Sequence, residues 1–499
     1  MSPSEWNFEI AAQHLKGEVI LPNPLKKWIG ASIDTRTLKT GEVFFALQGK
    51  NQDGHDYLWE AFQKGASGAV LRKDFFRKER ERFFRERTLF HNLVLTSDPE
   101  EALAELSGRY RNDFSAAGVA ITGSVGKTST KQFLSFLLSQ KYPILSSSGN
   151  LNNHLGLPLT LFKLKPEHQY CVAELGANHR GEIRRLSSLL KPRVGIITGV
   201  SPAHLEGFGS LDGVYRAKLE LADFLQKDKG ILILPDQDPE LLRRAKRRKL
   251  QILLFGKKAG SDFRLTGVKA GEGWIEFEVN DRWSFRFPGH ASFQAENALA
   301  ALAASFACGL SPSELPAVWK DVELPKGRFE IISGRDGILF VNDCYNASPY
   351  SFQKALEAFE VLKGPPALRA VLRSYAPIGA ELGPEGRGRK ILVLGDMLEL
   401  GSEAQAYHRA LGEWIQEKSF QAFFAIGDWM RETALVCEQQ GNPPLTLHFE
   451  DKEMLAHFLG SFLKPEDQVL FKASRAMKLE EVIRVLSSPI PLKRPSPVF

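Results

Sequence analysis

Residues 119–140 constrain the fold more tightly than any other stretch of the chain. An apolar run, Val119-Ala-Ile-Thr122, leads into Gly123-Ser-Val-Gly-Lys-Thr-Ser129, and a helix-like segment continues to Gln140. Strand, glycine loop and helix in that order converge backbone N–H groups on one point, which makes an anion site. Glycine lets the backbone approach phosphate oxygens, Lys127 supplies a point charge to terminal phosphates, and the Thr128 hydroxyl can ligate Mg2+. The spacing is Gly-x-x-Gly-Lys-Thr, two residues shorter between the glycines than the full P-loop pattern. The strand before it and the helix after it give the match its weight.

The pattern around this unit extends it into a sheet. Apolar runs at Tyr170 to Leu175, Val194 to Val200, Ile231 to Leu234 and Ile252 to Phe255 are separated by helical stretches, which argues for a mainly parallel α/β sheet. A second series follows Lys326: Ile338 to Val341, Ile391 to Leu394, Phe423 to Ile426 and Val469 to Phe471. Three of these lead into Asn342-Asp343, Gly395-Asp396 and Gly427-Asp428, residues suited to the carboxyl ends of parallel strands, where open α/β sheets bind ligands. At about 150 residues per domain, 499 residues hold about three domains. The expectation is therefore an α/β protein with an N-terminal α/β domain (1–112), a central P-loop-type, mainly parallel α/β domain (113–326) and a C-terminal Rossmann-like α/β domain (327–499).

Composition removes several classes. With 43% hydrophobic and 25% charged residues the chain is neither fibrous nor wholly disordered. Its four cysteines, Cys171, Cys308, Cys344 and Cys437, form no CxxC pair, which supports neither a disulfide framework nor a zinc ribbon and fits a reducing cytoplasm. The N-terminus does not read as a signal peptide, and Ala298 to Leu310 is shorter than the ~20 residues of a membrane span; with Gly309 near its end it reads as a buried helix. The net charge of +6 points only weakly to a polyanionic partner. Arg72 to Arg87 mixes eight basic with four acidic residues among paired phenylalanines, which favours a solvated helix with one buried face over a nucleic-acid patch. Lys246 to Lys249 reads as a surface turn before a strand, and Gly364 to Arg389, rich in Gly, Pro and Arg, as an exposed loop.

Three polar residues stand out beyond the glycine loop. Glu174 closes the run Tyr170-Cys-Val-Ala-Glu174, and His204 lies four residues after Val200. Both fall at strand ends near the expected phosphates, so together they are metal-site candidates. In the helical stretch Ser210 to Gln226, Leu211, Val214, Tyr215, Ala222 and Leu225 form one apolar stripe with Lys218 at its centre. A lysine there must snorkel, pair or be chemically altered.

These motifs, in this order, resemble the ATP-dependent Mur ligase family of peptidoglycan synthesis. The matching segments span nearly the whole chain. They are Asp34-Thr-Arg36 with Asp53-Gly-His55, the Gly123 to Lys131 loop, Gly149-Asn-Leu-Asn-Asn153 with Gly156-Leu-Pro158, and Glu174-Leu-Gly-Ala-Asn-His179. They continue with Ala203-His-Leu-Glu-Gly-Phe-Gly209, Arg216-Ala-Lys218, Gly327-Arg328, Asp343-Cys-Tyr-Asn-Ala347, Gly395-Asp-Met-Leu-Glu-Leu-Gly401 and Lys472-Ala-Ser-Arg475. Tyr345-Asn-Ala347 with Pro349, and Gly395 to Gly401 followed by Tyr407-His408, are similar to the members that add a dipeptide. The Asp-Asn-Pro-Arg motif of the diamino-acid-adding ligases is absent.

The resemblance implies a cytoplasmic ligase that joins D-alanyl-D-alanine to UDP-N-acetylmuramoyl-tripeptide through an acyl phosphate, using ATP and two Mg2+. It implies Gly123, Ser124, Val125, Gly126, Lys127, Thr128 and Ser129 on the phosphates, Asn297 on adenine, and Arg328 and Asp343 closing over the nucleotide. Thr128 and Glu174 would hold one Mg2+ and His204 the second, with Lys218 carbamylated into an anionic metal ligand. Asn152 and the catalytic candidate Asn153 would line the acyl-transfer site. Ser32, Asp34, Arg36, Gly49, Asp53 and His55 would bind the UDP-sugar, while Asn346, Lys472, Ser474 and Arg475 would contact peptide carboxylates or help close the domain. Two segments depart from the family pattern: Ala291, Phe293 and Gln294 stand where Gly, His and Asn precede the Ala-rich helix, and Ala473 replaces a glycine whose place could require positive φ. No nucleic-acid partner is expected, and with no oligomeric signal in the sequence a monomer is expected. The alternatives are a Mur-type ligase adding another amino acid or acting on folate or cyanophycin, and a nucleic-acid-binding P-loop ATPase.

Overall fold

The computed structural model describes residues 6–227, 230–362, 388–439 and 444–487. Strands β1 (Val19–Ile20), β2 (Gly30–Ser32), β3 (Glu42–Phe45), β4 (Gly68–Arg72) and β5 (Leu93–Thr96) form a first sheet in the order β1-β5-β4-β3-β2, with only β1 antiparallel to its neighbour. Alternation along β3 sends Val43 and Phe45 into a core with Trp28 and Leu103, and Phe44 into another with Leu58 and Phe83. The helix Pro99–Asn112 follows, started by Asp98, whose carboxylate accepts the N–H groups of Glu100 and Glu101. Its Tyr110 ring lies 5.4 Å from that of Phe162, so the core under the first sheet takes in residues of the central unit.

The central sheet is built from β6 (Ala117–Thr122), β7 (Ile144–Ser146), β8 (Tyr170–Glu174), β9 (Pro192–Ile197), β10 (Ile231–Pro235), β11 (Gln251–Gly256), β12 (Phe263–Ala270), β13 (Trp274–Val279) and β14 (Trp283–Pro288). Their order is β14-β13-β12-β11-β10-β9-β6-β8-β7, parallel from β7 across to β12. The chain lays strands on both sides of β6, which opens a crevice at the carboxyl ends of β6, β8 and β9. The apolar runs from Val119 to Phe255 are all strands, but β12 to β14 form an antiparallel extension that the search for continuous apolar runs passes over. There the burial alternates: Ile275, Phe277, Val279, Phe285 and Phe287 face inward around Trp319, while Glu276 and Arg286 pair outside.

A third sheet contains β15 (Glu330–Ser333), β16 (Leu339–Asn342), β17 (Lys390–Gly395), β18 (Ala422–Ile426), β19 (Leu445–Phe449) and β20 (Gln468–Lys472), ordered β15-β16-β20-β17-β18-β19 with only β15 antiparallel. Asp343 and Asp396 directly follow β16 and β17, and β20 ends at Lys472, so this sheet also gathers charge at its carboxyl edge.

Elsewhere the charged segment forms two short helices, Lys73–Lys78 and Arg80–Arg85, burying Phe76 and Phe83 and exposing their basic residues. The Ala-rich stretch is the buried helix Gln294–Ala307, with Gly309 at φ 91° just beyond its end. In the helix Leu211–Lys227, Leu211 is exposed rather than part of the buried stripe, because it sits at the first turn. All four cysteines are free and buried. Among the described residues no helix is long and apolar enough to cross a membrane. The loop expected over Gly364 to Arg389 lies, but for its last two residues, outside the described residues.

Candidate active site

The glycine loop joins β6 to the helix Lys127–Ser139. Gly123 and Gly126 have φ of 144° and 87°, and a side chain at either would collide: a Cβ on Gly123 would lie 2.1 Å from Thr198 Oγ1, and one on Gly126 2.3 Å from Asn297 Oδ1. The end of β9 braces the loop, with Ser124 N–H donating to the Gly199 carbonyl at 2.9 Å and Ser124 Oγ to the Ser201 carbonyl at 2.9 Å. Lys127 folds back over this turn, its Nζ donating to the Gly123 and Ser124 carbonyls at 2.8 and 3.3 Å. Burial pushes the Lys127 ammonium down, against the pull of Glu174, and Arg328 adds to the lowering.

Glu174 is the hub beneath the loop. It is buried at the end of β8, where Oε2 accepts from Thr128 Oγ1 and Oε1 from Asn152 Nδ2, each at 2.9 Å. Arg328 Nη2 donates to the same Thr128 hydroxyl at 3.1 Å. Buried Lys131, which the sequence reading left unassigned, donates to the Ser147 and Gly149 carbonyls at 2.7 and 3.4 Å. It thereby ties down the segment that leads to Asn152, and its place in the Gly123 to Lys131 motif was the available signal.

Lys218 lies 2% exposed, with its Nζ 5.3 Å from the centre of the Phe208 ring and no hydrogen-bond or ion-pair partner among the described residues. Burial lowers its pKa to about 7, and the Lys127 charge adds to the shift against the pull of Glu182, Glu220 and Glu174. His204 has its Nδ1 hydrogen-bonded to Glu399 Oε2. Burial lowers the His204 pKa, opposed by the Glu399 charge. Glu399 lies within the Gly395 to Gly401 motif, and only the fold brings it to His204. Among the described residues no three His, Cys, Asp or Glu side chains cluster as a metal site. Thr128 and Glu174 are nevertheless oxygen donors suited to Mg2+, His204 adds an imidazole, and a carbamate on Lys218 would add a second anionic donor beside Glu174.

The third sheet supplies the opposite wall. Buried Lys472 donates to Asp343 Oδ2 at 2.6 Å and to the Asn346 carbonyl at 3.1 Å, and Asp343 Oδ1 accepts the Phe329 N–H at 3.1 Å. The Arg328 guanidinium lies 4.2 Å from the Tyr345 ring centre. Between the walls runs a cleft of about 470 Å3, lined by Ser124 to Lys127, Ser129, His204, Asn297, Arg328, Asp343, Asn346 and Lys472, with Pro235, Phe255 and Phe293 among its apolar lining. Asn297 sits beside Gly126, and its helix packs along that of Lys127–Ser139. Phe293 meets Phe329 edge to face at 5.9 Å, and Gln294 Oε1 accepts the Ala291 N–H at 3.4 Å. Ala473 is buried without positive φ, so the backbone there requires no glycine.

Other candidates are placed differently. Asn153 is exposed, with Oδ1 accepting the N–H groups of Leu155 and Gly156 at 3.2 and 2.9 Å at the start of the helix Gly156–Leu161. Ser474 Oγ accepts the Leu398 N–H at 2.9 Å, and Arg475 pairs with Glu480 at 2.9 Å. None of Ser32, Asp34, Arg36, Gly49, Asp53 or His55 lines the cleft. Asp34 and Arg36 form a two-pronged ion pair after β2, with Ser32 Oγ donating to the Asp34 carbonyl at 3.1 Å. Hydrogen bonding from Arg36 holds the Asp34 carboxyl below its usual value. His55 Nδ1 lies 2.6 Å from Asp53 Oδ1, and Nε2 accepts the Arg72 N–H at 3.1 Å; the Gly49 N–H donates to the Gln52 carbonyl at 2.9 Å.

Comparison with known proteins places this geometry. Residues 121–305 match the Mur ligase middle domain. The UDP-N-acetylmuramoyl-tripeptide–D-alanyl-D-alanine ligase of Bacillus subtilis is 31% identical over 485 residues, covering 96% of this chain and 98% of that protein. The crystal structure of MurF from Acinetobacter baumannii superposes with a TM-score of 0.77 at 27% identity, covering 97% of this chain and 98% of that one. The MurF ligase of Thermotoga maritima in complex with ADP does so with a TM-score of 0.72 at 28% identity, covering 92% and 97%.

Proposed function

The chain belongs to the Mur ligase family, and from that premise we propose that it is the cytoplasmic ligase joining D-alanyl-D-alanine to UDP-N-acetylmuramoyl-tripeptide at the expense of ATP. The carrying observation is the single cleft that unites the glycine loop and Lys127 with Arg328, Asp343 and Lys472 of the third sheet. Residues 1–112 bind the UDP-linked substrate, 113–326 hold ATP, and 327–499 close over the nucleotide and receive the dipeptide. ATP lies with its phosphates on the loop amides and its base toward Pro235, Phe255 and Phe293.

The tripeptide carboxylate attacks the γ-phosphorus, giving an acyl phosphate and ADP. The D-alanyl-D-alanine amine then attacks the acyl carbon, forming a tetrahedral intermediate that expels phosphate as the amide forms. In the first step an anion approaches a polyanion, so neutralisation and alignment are the main demands. Lys127 and the loop N–H groups take the phosphate charge, and Arg328 reaches Thr128 beside them from the segment leading into β15. Asp343 holds Lys472 at the cleft wall. Glu174, Thr128, His204 and carbamylated Lys218 would hold Mg2+, which supplies charge neutralisation between the phosphates and the acyl group when bound. Buried Lys218, without a hydrogen-bond or ion-pair partner among the described residues and with its lowered pKa, supports the carbamate, because the neutral amine is the form that reacts with CO2. Apposition of the two walls excludes water that would hydrolyse the acyl phosphate.

A product assay with ATP, UDP-muramoyl-tripeptide and a panel of dipeptides tests the reading. Phosphate release should require both peptide substrates and accompany amide formation with D-alanyl-D-alanine; absence of that amide would overturn the assignment.

A further inference from the structure

His204 enters the cleft from the central sheet, yet its partner belongs to the third. Besides the Nδ1 contact to Glu399, the Glu206 N–H donates to the Glu399 carbonyl at 3.3 Å, so the two loops touch through both side chain and backbone. Both residues have left-handed backbones, His204 at φ 52°, ψ 37° and Glu399 at φ 64°. Non-glycine residues are held in that region only where the surroundings over-determine it, and such residues gather at ligand clamps and switches. The Glu399 loop is fixed from behind: the Met397 N–H donates to Nε2 of buried His408 at 3.0 Å, His408 Nδ1 is bonded to the Ala404 carbonyl at 2.7 Å, and the Leu398 N–H donates to Ser474 Oγ. His408 and Ser474 thus act as a scaffold that delivers Glu399 to the interface.

We propose that Glu399 is a positioning residue that accepts the Nδ1–H of His204 across the domain boundary, so that His204 presents an unprotonated Nε2 to the cleft only when the third domain is docked. An imidazole that donates one N–H to a carboxylate keeps the other nitrogen as an oriented lone pair, and such outer partners set ligand orientation and basicity. Nε2 of His204 has no partner among the described residues. The central site is therefore completed by a side chain of the domain that must close. This proposal rests on the ligase reading only for what Nε2 meets.

The test uses full-length protein without nucleotide or metal, with histidines 15N-labelled and the His204 signal assigned by loss in His204→Gln. Wild type should show His204 as the Nδ1–H tautomer. Glu399→Ala should release it toward Nε2–H, whereas Glu399→Gln, whose amide oxygen still accepts, should retain Nδ1–H. In turnover, Glu399→Ala should lower kcat/KM for ATP about 10–100-fold, the range for loss of such outer partners, with Glu399→Gln closer to wild type. A wild-type tautomer in Glu399→Ala, or equal losses in both variants, would overturn the proposal. Wild-type protein that forms no amide product would instead overturn the ligase reading and leave the tautomer result standing.

Discussion

Charged residues at the mouth of the central sheet and those beside the first sheet meet opposite circumstances. Asp34 and Arg36 satisfy one another, and Asp53 and His55 form a second local pair. At the central sheet, buried Lys218 has no hydrogen-bond or ion-pair partner among the described residues, and Lys127 rests on its own loop. A satisfied pair can build a turn without a ligand; a buried donor without one is held for something that binds. On this comparison the proposed catalytic chemistry belongs to the central mouth, and the first sheet would contribute substrate recognition on a preformed surface.

The largest effect expected is at Lys218. Lys218→Ala should lower kcat by about 10²–10³-fold, the range for removing one preorganised group from a charge-stabilising site. With a pKa near 7, a lysine is about nine-tenths neutral at pH 8 and about one-tenth at pH 6. Enzyme stripped of CO2 at low pH should therefore, at equal dissolved CO2, regain activity up to about tenfold faster at pH 8 than at pH 6, as read by the lag in phosphate release. Full activity in Lys218→Ala, with no bicarbonate response in wild type, would erase the contrast between the two regions.

A smaller effect should follow Arg36→Ala, which removes an exposed partner of Asp34. The expected result is about a tenfold rise in KM for the UDP-linked substrate, equivalent to one lost hydrogen bond to a charged group, with KM for ATP unchanged. The melting temperature should barely move, because exposed ion pairs contribute little to folding. A change in ATP affinity instead would mean that the first sheet reaches the nucleotide, blurring the division.

The sequence exposes the parts of this molecule whose physics is local. The glycine loop is legible because positive φ and crowding against Thr198 and Asn297 demand glycine at Gly123 and Gly126. Glu174 is legible as the polar end of an apolar strand, and Lys218 as a charge in an apolar stripe. What escapes depends on residues far apart in the chain. β12 to β14 alternate rather than run apolar, so their burial becomes visible only once Trp319 and the Gln294–Ala307 helix cover one face. The pairing of His204 with Glu399 spans two sheets, and no spacing in the chain announces it. For Asn153, the residue type alone cannot separate a cap from a ligand-binding amide, whereas the observed bonds to Leu155 and Gly156 show the capping geometry.

The smallest effect tests whether the third sheet is as preformed as the first. Ala473 follows β20 between Lys472, which pairs with Asp343, and Ser474, which holds the Leu398 N–H. Its backbone lacks positive φ, and its Cβ occupies the space beside Gly395, 2.9 Å from where a Cβ on that glycine would sit. A glycine at 473 would gain no needed conformation, lose that methyl contact and widen the unfolded ensemble. Ala473→Gly should therefore destabilise by about 0.4–1 kcal/mol through chain entropy and by about 0.8 kcal/mol more for the buried methyl, a drop of a few degrees in thermal unfolding for a domain of this size. Steady-state constants should stay near wild type, because Lys472 and Ser474 keep their partners. A marked loss of kcat at unchanged stability would show that the segment moves during turnover, and the third sheet would then resemble the poised central mouth rather than the self-satisfied first sheet.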